Sequence, residues 1–190
     1  MTARMPFTFI VVPGAILLLA GCGGGGVGGS TAAAVDTASC MVGDWASDPQ
    51  DIANQMVDAL SSLGTASATG TGTEKATIAA THLSYDDNLE FTFDVAPSSG
   101  PTVQIVQNHS GRLTADWTIG PDDVMAYANF DTANYQISST TVIDGHSSTS
   151  TSNLPQSSAH NVPTAVTCSG DTMTMKPEDS PILTTWHRQG

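Results

Sequence analysis

Few residues in this chain have the types and spacing that catalysis requires. The sequence contains no G-x-S-x-G nucleophile motif, no H-E-x-x-H zinc motif and no C-x-x-C pair. The segment Gly145–Ser148 (GHSS) comes nearest, but the closing glycine of the nucleophile motif is missing. The sequence therefore predicts a protein that is not an enzyme, and it leaves an enzyme as the third of three alternatives.

Histidines and paired carboxylates are the other groups that could do chemistry, as metal ligands or as acid–base pairs. The histidines show no ligand spacing; they are His82, His109, His146, His160 and His187. No D-x-D-x-D-G calcium loop is present. The pairs Asp86-Asp87 and Asp122-Asp123 fit turns better than catalytic sites. We therefore expect no metal site and no cofactor.

The cysteines are more informative. Cys22 ends the segment Leu19–Cys22 (LAGC), which closes an apolar run and is followed by four glycines. This segment resembles the lipobox of bacterial lipoproteins. The resemblance implies cleavage before Cys22 and acylation of its thiol and its new amino group, with fatty acids such as palmitate. The alternative is a cleaved secretory signal in which the cysteine is incidental.

The residues before Cys22 have the layout of an export signal. Arg4 supplies the positive start, and Phe7–Leu19 forms the apolar core. A core of about 13 residues is too short to span a bilayer. Two or three acyl chains would anchor the protein stably, since each buried CH2 contributes about 0.8 kcal/mol. We expect signal peptide 1–21 and a protein that is held outside the cytoplasm by lipid on the bacterial cell membrane.

If Cys22 carries lipid, Cys40 and Cys168 remain. An exported domain matures in an oxidising compartment, where paired cysteines form disulfides. The sequence therefore predicts one disulfide between Cys40 and Cys168. Two free thiols are the alternative.

The charge balance limits the partners of the protein. Arg4 is removed with the signal, which leaves four basic residues against 18 acidic ones. A net charge of about −14 excludes nucleic-acid binding by counterion release and favours solubility. An anionic membrane surface should repel the domain, and a cationic partner is compatible with its charge but not required. No protein partner can be named from the sequence.

A low-complexity stretch separates the lipid site from the folded part. Residues 22–39 are rich in Gly and Ala, and they contain a formal G-x-G-x-x-G pattern. No strand precedes this pattern and no helix follows it, so a dinucleotide site is excluded. The stretch is typical of a flexible tether with a reach of roughly 20 to 25 Å. Residues 40–190 are left as one domain, which is long enough to bury a core.

The elements of this domain are mostly short strands. One helix is predicted at Ser47–Leu63, with an apolar face and capping residues at its start. The clearest strand is Leu89–Val95, which alternates apolar and polar residues. Turns are predicted at Asp86–Asn88 and Asn108–Gly111, and a Ser/Thr-rich loop is predicted at Asp144–Asn161.

About eight or nine such strands, the first starting at Cys40, are joined mainly by tight turns. The helical crossovers that a parallel sheet needs are absent. The sequence therefore predicts a mostly β fold: a closed or nearly closed antiparallel β-barrel of about eight strands, with one amphipathic helix after the first strand.

Three segments together resemble the lipocalin-like domains of actinobacterial lipoproteins. They are Cys40–Trp45 (CMVGDW), Thr167–Met175 (TCSGDTMTM) and Thr185–Arg188 (TWHR), and the resemblance extends over about residues 40–189. In this family, an arginine near the last strand packs over the tryptophan of the first strand. The resemblance implies that Arg188 covers Trp45 at the closed end of the barrel by a cation–π contact.

Two functions follow as hypotheses. The first is a binding module that holds a small apolar or amphipathic molecule inside the barrel. Its expected lining is the inward face of two strands; the candidates are Leu89, Phe91, Phe93, Leu113 and Trp117. The second is a filled barrel with a structural or protein-interaction role in the cell envelope. We favour the binding module, because small barrels commonly hold ligands in their mouths.

Overall fold

The computed structural model of the chain describes residues 36–61, 64–153 and 162–190. These residues form two helices and nine strands. In chain order they are α1 (Thr37–Met41), β1 (Gly43–Ser47), α2 (Pro49–Leu60), β2 (Gly64–Ile78), β3 (His82–Pro97), β4 (Val103–Ile119), β5 (Val124–Ile143), β6 (His146–Asn153), β7 (Thr164–Ser169), β8 (Thr172–Pro177) and β9 (Thr184–Arg188). Neither helix is long and apolar enough to cross a bilayer.

The strands form one antiparallel sheet whose hydrogen-bonded pairings close into a ring. The order is β4-β3-β2-β1-β9-β8-β7-β5, and β5 pairs back with β4. Strand β6 lies outside this ring of eight and pairs with β5. The prediction of a mostly β, antiparallel fold with a helix after the first strand is confirmed at this level.

The strands of the ring differ greatly in length. Strands β2 to β5 have 15 to 20 residues, whereas β1 and β7 to β9 have five or six. Because a strand rises about 3.3 Å per residue, the four long strands extend well beyond their short neighbours. The sequence predicted shorter strands, since it placed turns at two points where β3 and β4 continue.

The predicted turn at Asp86–Asn88 is wrong, because these residues lie in the middle of β3. Asp86 points to the outer face and makes two hydrogen bonds with Arg112 of β4, at 2.7 and 2.8 Å. Asp87 points to the inner face and accepts a hydrogen bond from Tyr135 of β5. Partners on other strands satisfy both carboxylates, so the local preference for a turn is overridden.

The predicted turn at Asn108–Gly111 is also wrong, because β4 runs through it. Gly111 has a φ of +110°, and a Cβ at this position would overlap the carbonyl oxygen of Asn134. Only glycine adopts this conformation readily. Gly111 indicated a turn in the sequence, but in the structure it allows an unusual backbone conformation within a strand that continues.

The predicted loop Asp144–Asn161 begins as a hairpin. Asp144 and Gly145 both have positive φ, at 50° and 78°, and β6 returns along β5 from His146. An Asp-Gly pair with two positive φ angles suits the twist of a two-residue hairpin. All eight side chains of β6 are exposed. The rest of the predicted loop, 154–161, lies outside the described residues, as does His160.

The start of the domain differs from the prediction as well. Cys40 lies in α1, and the first strand begins at Gly43. The predicted helix starts at Pro49 rather than Ser47, because Asp48 is its N-cap and accepts a hydrogen bond from the Gln50 amide at 2.9 Å. Helix α2 ends at Leu60, and residues 62–63 lie outside the described part of the chain.

Two apolar clusters fill the structure. The first lies inside the ring and joins residues from α1 and all eight strands of the ring; its buried members are Met41, Trp45, Ala76, Ile78, Leu83, Ala115, Trp117, Met125, Val166, Met173, Met175 and Trp186. The second lies where α2 covers the extensions of β2 and β3; its buried members are Ala53, Leu89, Phe91 and Phe93. The alternation in Leu89–Val95 thus marks a face that is buried against the helix.

Two glutamines attach α2 to the sheet. The Gln50 amide accepts from Gly70 N and donates to Ala68 O of β2, at 3.0 and 3.2 Å. The Gln55 amide bonds the backbone N and O of Leu183, each at 2.8 Å. Strand β1 lies between β2 and β9 and ends at Ser47. Beyond this point, the two amides bond backbone groups of β2 and of the segment before β9 that β1 no longer reaches. Gly70 is required for this approach, because a Cβ there would overlap the carbonyl oxygen of Pro49.

Candidate functional site

A pocket of about 330 Å³ lies between the two apolar clusters and is open to solvent. Its position follows from β3, where Tyr85 and Asp87 come between Leu83 of the first cluster and Leu89 of the second. The lining residues come from six strands and the segment before β7; they are Glu74, Tyr85, Asp87, Leu113, Tyr127, Phe130, Tyr135, Val162, Thr164 and Pro177.

The register of the long strands sets the polar part of this pocket. Glu74 of β2 is directly opposite Asp87 of β3, which in turn is opposite Gly111 of β4. Gly111 is opposite Tyr135 of β5. Because Gly111 has no side chain, the Tyr135 hydroxyl can cross β4 and reach Asp87. The two carboxylates and the tyrosine therefore form one row across four strands.

Asp87 has an unusual environment for a carboxylate. Its Oδ2 accepts a hydrogen bond from the Tyr135 hydroxyl at 2.6 Å, while its Oδ1 is buried without a hydrogen-bond partner. Burial raises the pKa of Asp87 to about 6, although the bond from Tyr135 opposes this shift. The Nδ1 atom of His109 lies 3.2 Å from the same hydroxyl. An unpartnered buried carboxylate oxygen is costly unless something else binds it.

Glu74 is the second carboxylate of the pocket. Burial raises its pKa to about 7, against the effect of a hydrogen bond that its Oε2 accepts from Ser47. The charge of Asp87 raises the pKa of Glu74 further. Near neutral pH, the pH is therefore close to the pKa values of both carboxyl groups. Binding of a proton or of a cation then changes the net charge of the pair.

Three tyrosines surround the carboxylates. Burial raises the pKa of Tyr85, Tyr127 and Tyr135, so all three keep their hydroxyl protons near neutral pH. Tyr85 donates a hydrogen bond to the sulfur of Met175 at 3.7 Å. Tyr127 stacks at an angle against Phe130, with ring centroids 5.3 Å apart. The walls of the pocket are thus aromatic and its floor is acidic.

The five side chains that the sequence predicted as ligand lining lie in three different parts of the structure. Leu113 lines the pocket. Leu89, Phe91 and Phe93 pack against α2 in the second cluster. Trp117 lies in the first cluster, and its Nε1 donates to Ala79 O at 2.9 Å.

The sequence analysis missed the polar groups of the pocket. A signal for two of them was present, because Tyr85 and Asp87 continue the odd-numbered inward face of Leu89–Val95 along β3. The predicted turn at Asp86 interrupted that pattern. No local signal identified Glu74 or Tyr135, since both depend on cross-strand register.

Trp45 and Arg188 are direct partners across β1 and β9. The guanidinium carbon of Arg188 lies 4.2 Å from the centroid of the Trp45 ring. Arg188 also donates to Cys40 O at 2.6 Å and Val42 O at 3.0 Å, and Trp45 donates to Met41 O at 2.7 Å. These donors satisfy the carbonyl groups that the end of α1 leaves unpaired.

We expect Arg188→Ala to lower the free energy of unfolding by about 2 to 3 kcal/mol, because two charge-assisted hydrogen bonds and a cation–π contact are lost. Arg112→Ala is the matched control. Arg112 bonds only Asp86 among the described residues, and its side chain is 60% exposed. Such an exposed ion pair contributes little to stability, because water and salt screen the two charges. Urea denaturation measures both variants, and equal losses would contradict the role of Arg188.

The structure joins Cys40 to Cys168 by a disulfide with a Cα–Cα distance of 5.8 Å. The bond joins α1 to β7, and these two elements also contact each other. Cys22 lies outside the described residues. Within the described ranges, no three His, Cys, Asp or Glu side chains come together as ligands of a metal would.

Comparisons of the whole chain with protein-family models, with curated proteins and with solved structures found no match. The site therefore has to be interpreted from its own geometry.

Proposed function

We propose that the protein is a lipid-anchored lipoprotein outside the bacterial cytoplasm that binds a small amphipathic molecule without catalysis. In this proposal the ring of eight strands is a lipocalin-like barrel, and the pocket at Leu113 is the ligand site. The tether at 22–39 would connect the barrel to acylated Cys22.

The pocket is the observation that carries this proposal. Its volume of about 330 Å³ is at the lower end of the range for small-molecule sites. It combines apolar walls, such as Leu113 and Phe130, with a few polar groups that could orient a ligand. A core that only had to be stable would gain more from filling this space with apolar side chains.

We expect the protein to bind one equivalent of 4-phenylbutanol, a small molecule with an apolar body and one hydroxyl group. Leu113→Trp should abolish binding, because the larger side chain occupies the pocket. Leu183→Trp should bind as the wild type does, since Leu183 is 39% exposed and does not line the pocket. Isothermal titration calorimetry measures all three proteins. Binding that survives in Leu113→Trp would place the ligand elsewhere.

The anchor has a separate test. We expect the wild-type protein to be in the membrane fraction of a bacterial host and to incorporate a fatty-acid label. Cys22→Ser should lose the label and leave the membrane fraction, because a signal-length apolar core alone is too short to hold the protein there. If Cys22→Ser protein remained in the membrane fraction, the proposed anchor would be wrong.

Strand β6 supports a second candidate, an interaction module of the cell envelope. Its eight residues are all exposed and include no Asp, Glu, Lys or Arg, and such an edge can pair with a strand of another protein. Cross-linking in the host would favour this candidate if a captured partner disappears on deletion of 145–153. Capture that is unchanged by the deletion would count against it.

A further inference from the structure

The chemistry of the pocket restricts the kind of molecule that it can hold. Two carboxylates, Glu74 and Asp87, line it, and no Lys, Arg or His is among the described residues of the lining. Three basic side chains are nearby: Arg112 is bonded to Asp86 on the outer face, and Lys75 is exposed. His109 lies behind the Tyr135 hydroxyl, with its Nδ1 3.2 Å away, and burial lowers its pKa, which favours the neutral ring. Nothing in the described part of the chain supplies a positive charge to these carboxylates.

The hydrogen bonds around Asp87 leave one of its two carboxylate oxygens without a donor. Tyr135 satisfies Oδ2, whereas Oδ1 is buried and has no partner. Glu74 is directly across from Asp87 in the sheet, with Ser47 bonded to one of its oxygens. A group with several N–H donors between these two side chains would satisfy Oδ1 and separate the two charges. An ammonium group has this property.

The aromatic walls favour the same kind of group. Tyr85, Tyr127 and Phe130 line the pocket beside the carboxylates, and Tyr135 donates to one of them. Aromatic faces attract cations, most strongly where water is excluded. The faces of these rings and the side chains of Leu113 and Pro177 also offer apolar surface to the rest of a ligand.

We propose that this pocket selects an organic cation: a primary or secondary ammonium group carried on a compact apolar body. The ammonium group binds between Asp87 and Glu74, and the apolar body lies against the aromatic wall. This inference rests on the proposed function, since it assigns the charge of the ligand to the same site. An anionic ligand would be repelled by both carboxylates, and a neutral one would leave their charge uncompensated.

The test compares three probes that share one apolar body: 4-phenylbutylamine, 4-phenylbutanol and 4-phenylbutyrate. We expect the full-length protein at pH 7.5 to bind the amine at least about tenfold more tightly than the alcohol, because charge-assisted hydrogen bonds are about twice as strong as neutral ones. The carboxylate probe should bind more weakly than the alcohol. Isothermal titration calorimetry gives the three dissociation constants.

Two neighbouring carboxylates provide a matched pair of variants. Asp87→Asn should abolish the preference for the amine, so that the dissociation constants of the amine and the alcohol become equal within about threefold. Asp86→Asn changes the adjacent residue on the outer face, so it should keep the preference. Glu74→Gln gives a second inner-face variant if Asp87→Asn fails to fold, as judged by its thermal transition, and it should also reduce the preference.

The outcomes separate the two proposals. If the alcohol binds in the pocket but the amine has no advantage, the cation inference is wrong and the proposed binding function stands. If the amine is preferred equally by wild type and Asp87→Asn, the site of the cation is wrong. If none of the three probes binds at 1 mM, a concentration on the order of the weakest specific affinities, both proposals are overturned.

Discussion

Loss of the Cys40–Cys168 disulfide will lower the free energy of unfolding by about 5 kcal/mol. The bond links residues that are 128 positions apart, and closing so long a loop strongly limits the unfolded chain. It also holds α1, which has five residues and is too short to be stable as an isolated helix. This is the largest single effect that we expect, comparable to the whole stability of a marginal domain.

The measurement is urea denaturation of the wild type and of the double variant Cys40→Ser/Cys168→Ser, both carrying Cys22→Ser so that no other thiol takes part. A reducing agent should destabilise the protein with the disulfide and leave the double variant unchanged. A difference below about 1 kcal/mol would mean that the bond contributes little beyond the contacts around it.

The second large effect is a loss of stability as the pH rises from 5 to 8. Burial raises the pKa of Glu74 from 4.5 to about 7 and that of Asp87 from 3.8 to about 6. The folded state therefore binds protons that the unfolded state has already released. The stabilisation is complete below the unfolded pKa values, and it is lost as the pH passes through the folded ones. Glu74 alone should account for on the order of 3 kcal/mol.

Other titratable groups offset this loss of stability only in part. Arg112 lowers the pKa of Asp86, and Asn129 and His82 lower that of Asp116, so both carboxylates titrate below pH 5. His109 has the opposite effect, because burial lowers its pKa below the unfolded value of 6.5 and so adds stability as the pH rises to that value; one histidine offsets only part of the loss from two carboxylates. The titratable groups that face the two carboxylates from the other strands are Tyr85, Tyr127 and Tyr135, and all three keep their hydroxyl protons across this range.

Thermal or urea unfolding at pH 5, 6.5 and 8 tests this dependence. The double variant Glu74→Gln/Asp87→Asn should have a much flatter profile and be more stable than the wild type at pH 8. Glu90→Gln is the control, because Glu90 is exposed on the opposite face of β3. A wild-type profile that is flat or rises from pH 5 to 8 would show that the pocket does not hold its carboxylates in the protonated form.

The pH dependence of stability is linked to the proposed ligand. A pocket whose carboxylates prefer protons when empty should release those protons when an ammonium group binds. The same features that make the empty site costly at pH 8 would therefore favour a cation there. Preorganised but unsatisfied polar groups of this kind are typical of binding sites rather than of cores optimised for stability.

The local sequence was sufficient for features that depend on neighbouring residues. The alternation in Leu89–Val95 correctly marked a buried face, and Asp48 with Pro49 marked the start of α2 within two residues. The expected pairing of Cys40 with Cys168 needed only their number and an oxidising compartment. In each case the signal lies within a few residues or in a count, so no knowledge of the tertiary structure was required.

Two predicted turns failed for a common reason. Both segments, Asp86–Asn88 and Asn108–Gly111, have turn-forming residues. The side chains of Asp86, Asp87 and His109 nevertheless find partners on other strands. Local preference is worth about 1 kcal/mol per residue or less, and cross-strand bonds and burial together exceed it. The Asp-Gly pair at 144 did form a hairpin, because no neighbouring strand competed for it.

By itself, the sequence determined the mostly β, antiparallel character of the domain, its single longer helix and the residues available for one disulfide. Only the tertiary structure decided where a ligand could bind. Tyr135 is 48 positions from Asp87, and the two meet because β4 presents Gly111 between them. A site of this kind depends on the register of four strands, and register is a property of long-range pairing that no short stretch of sequence contains.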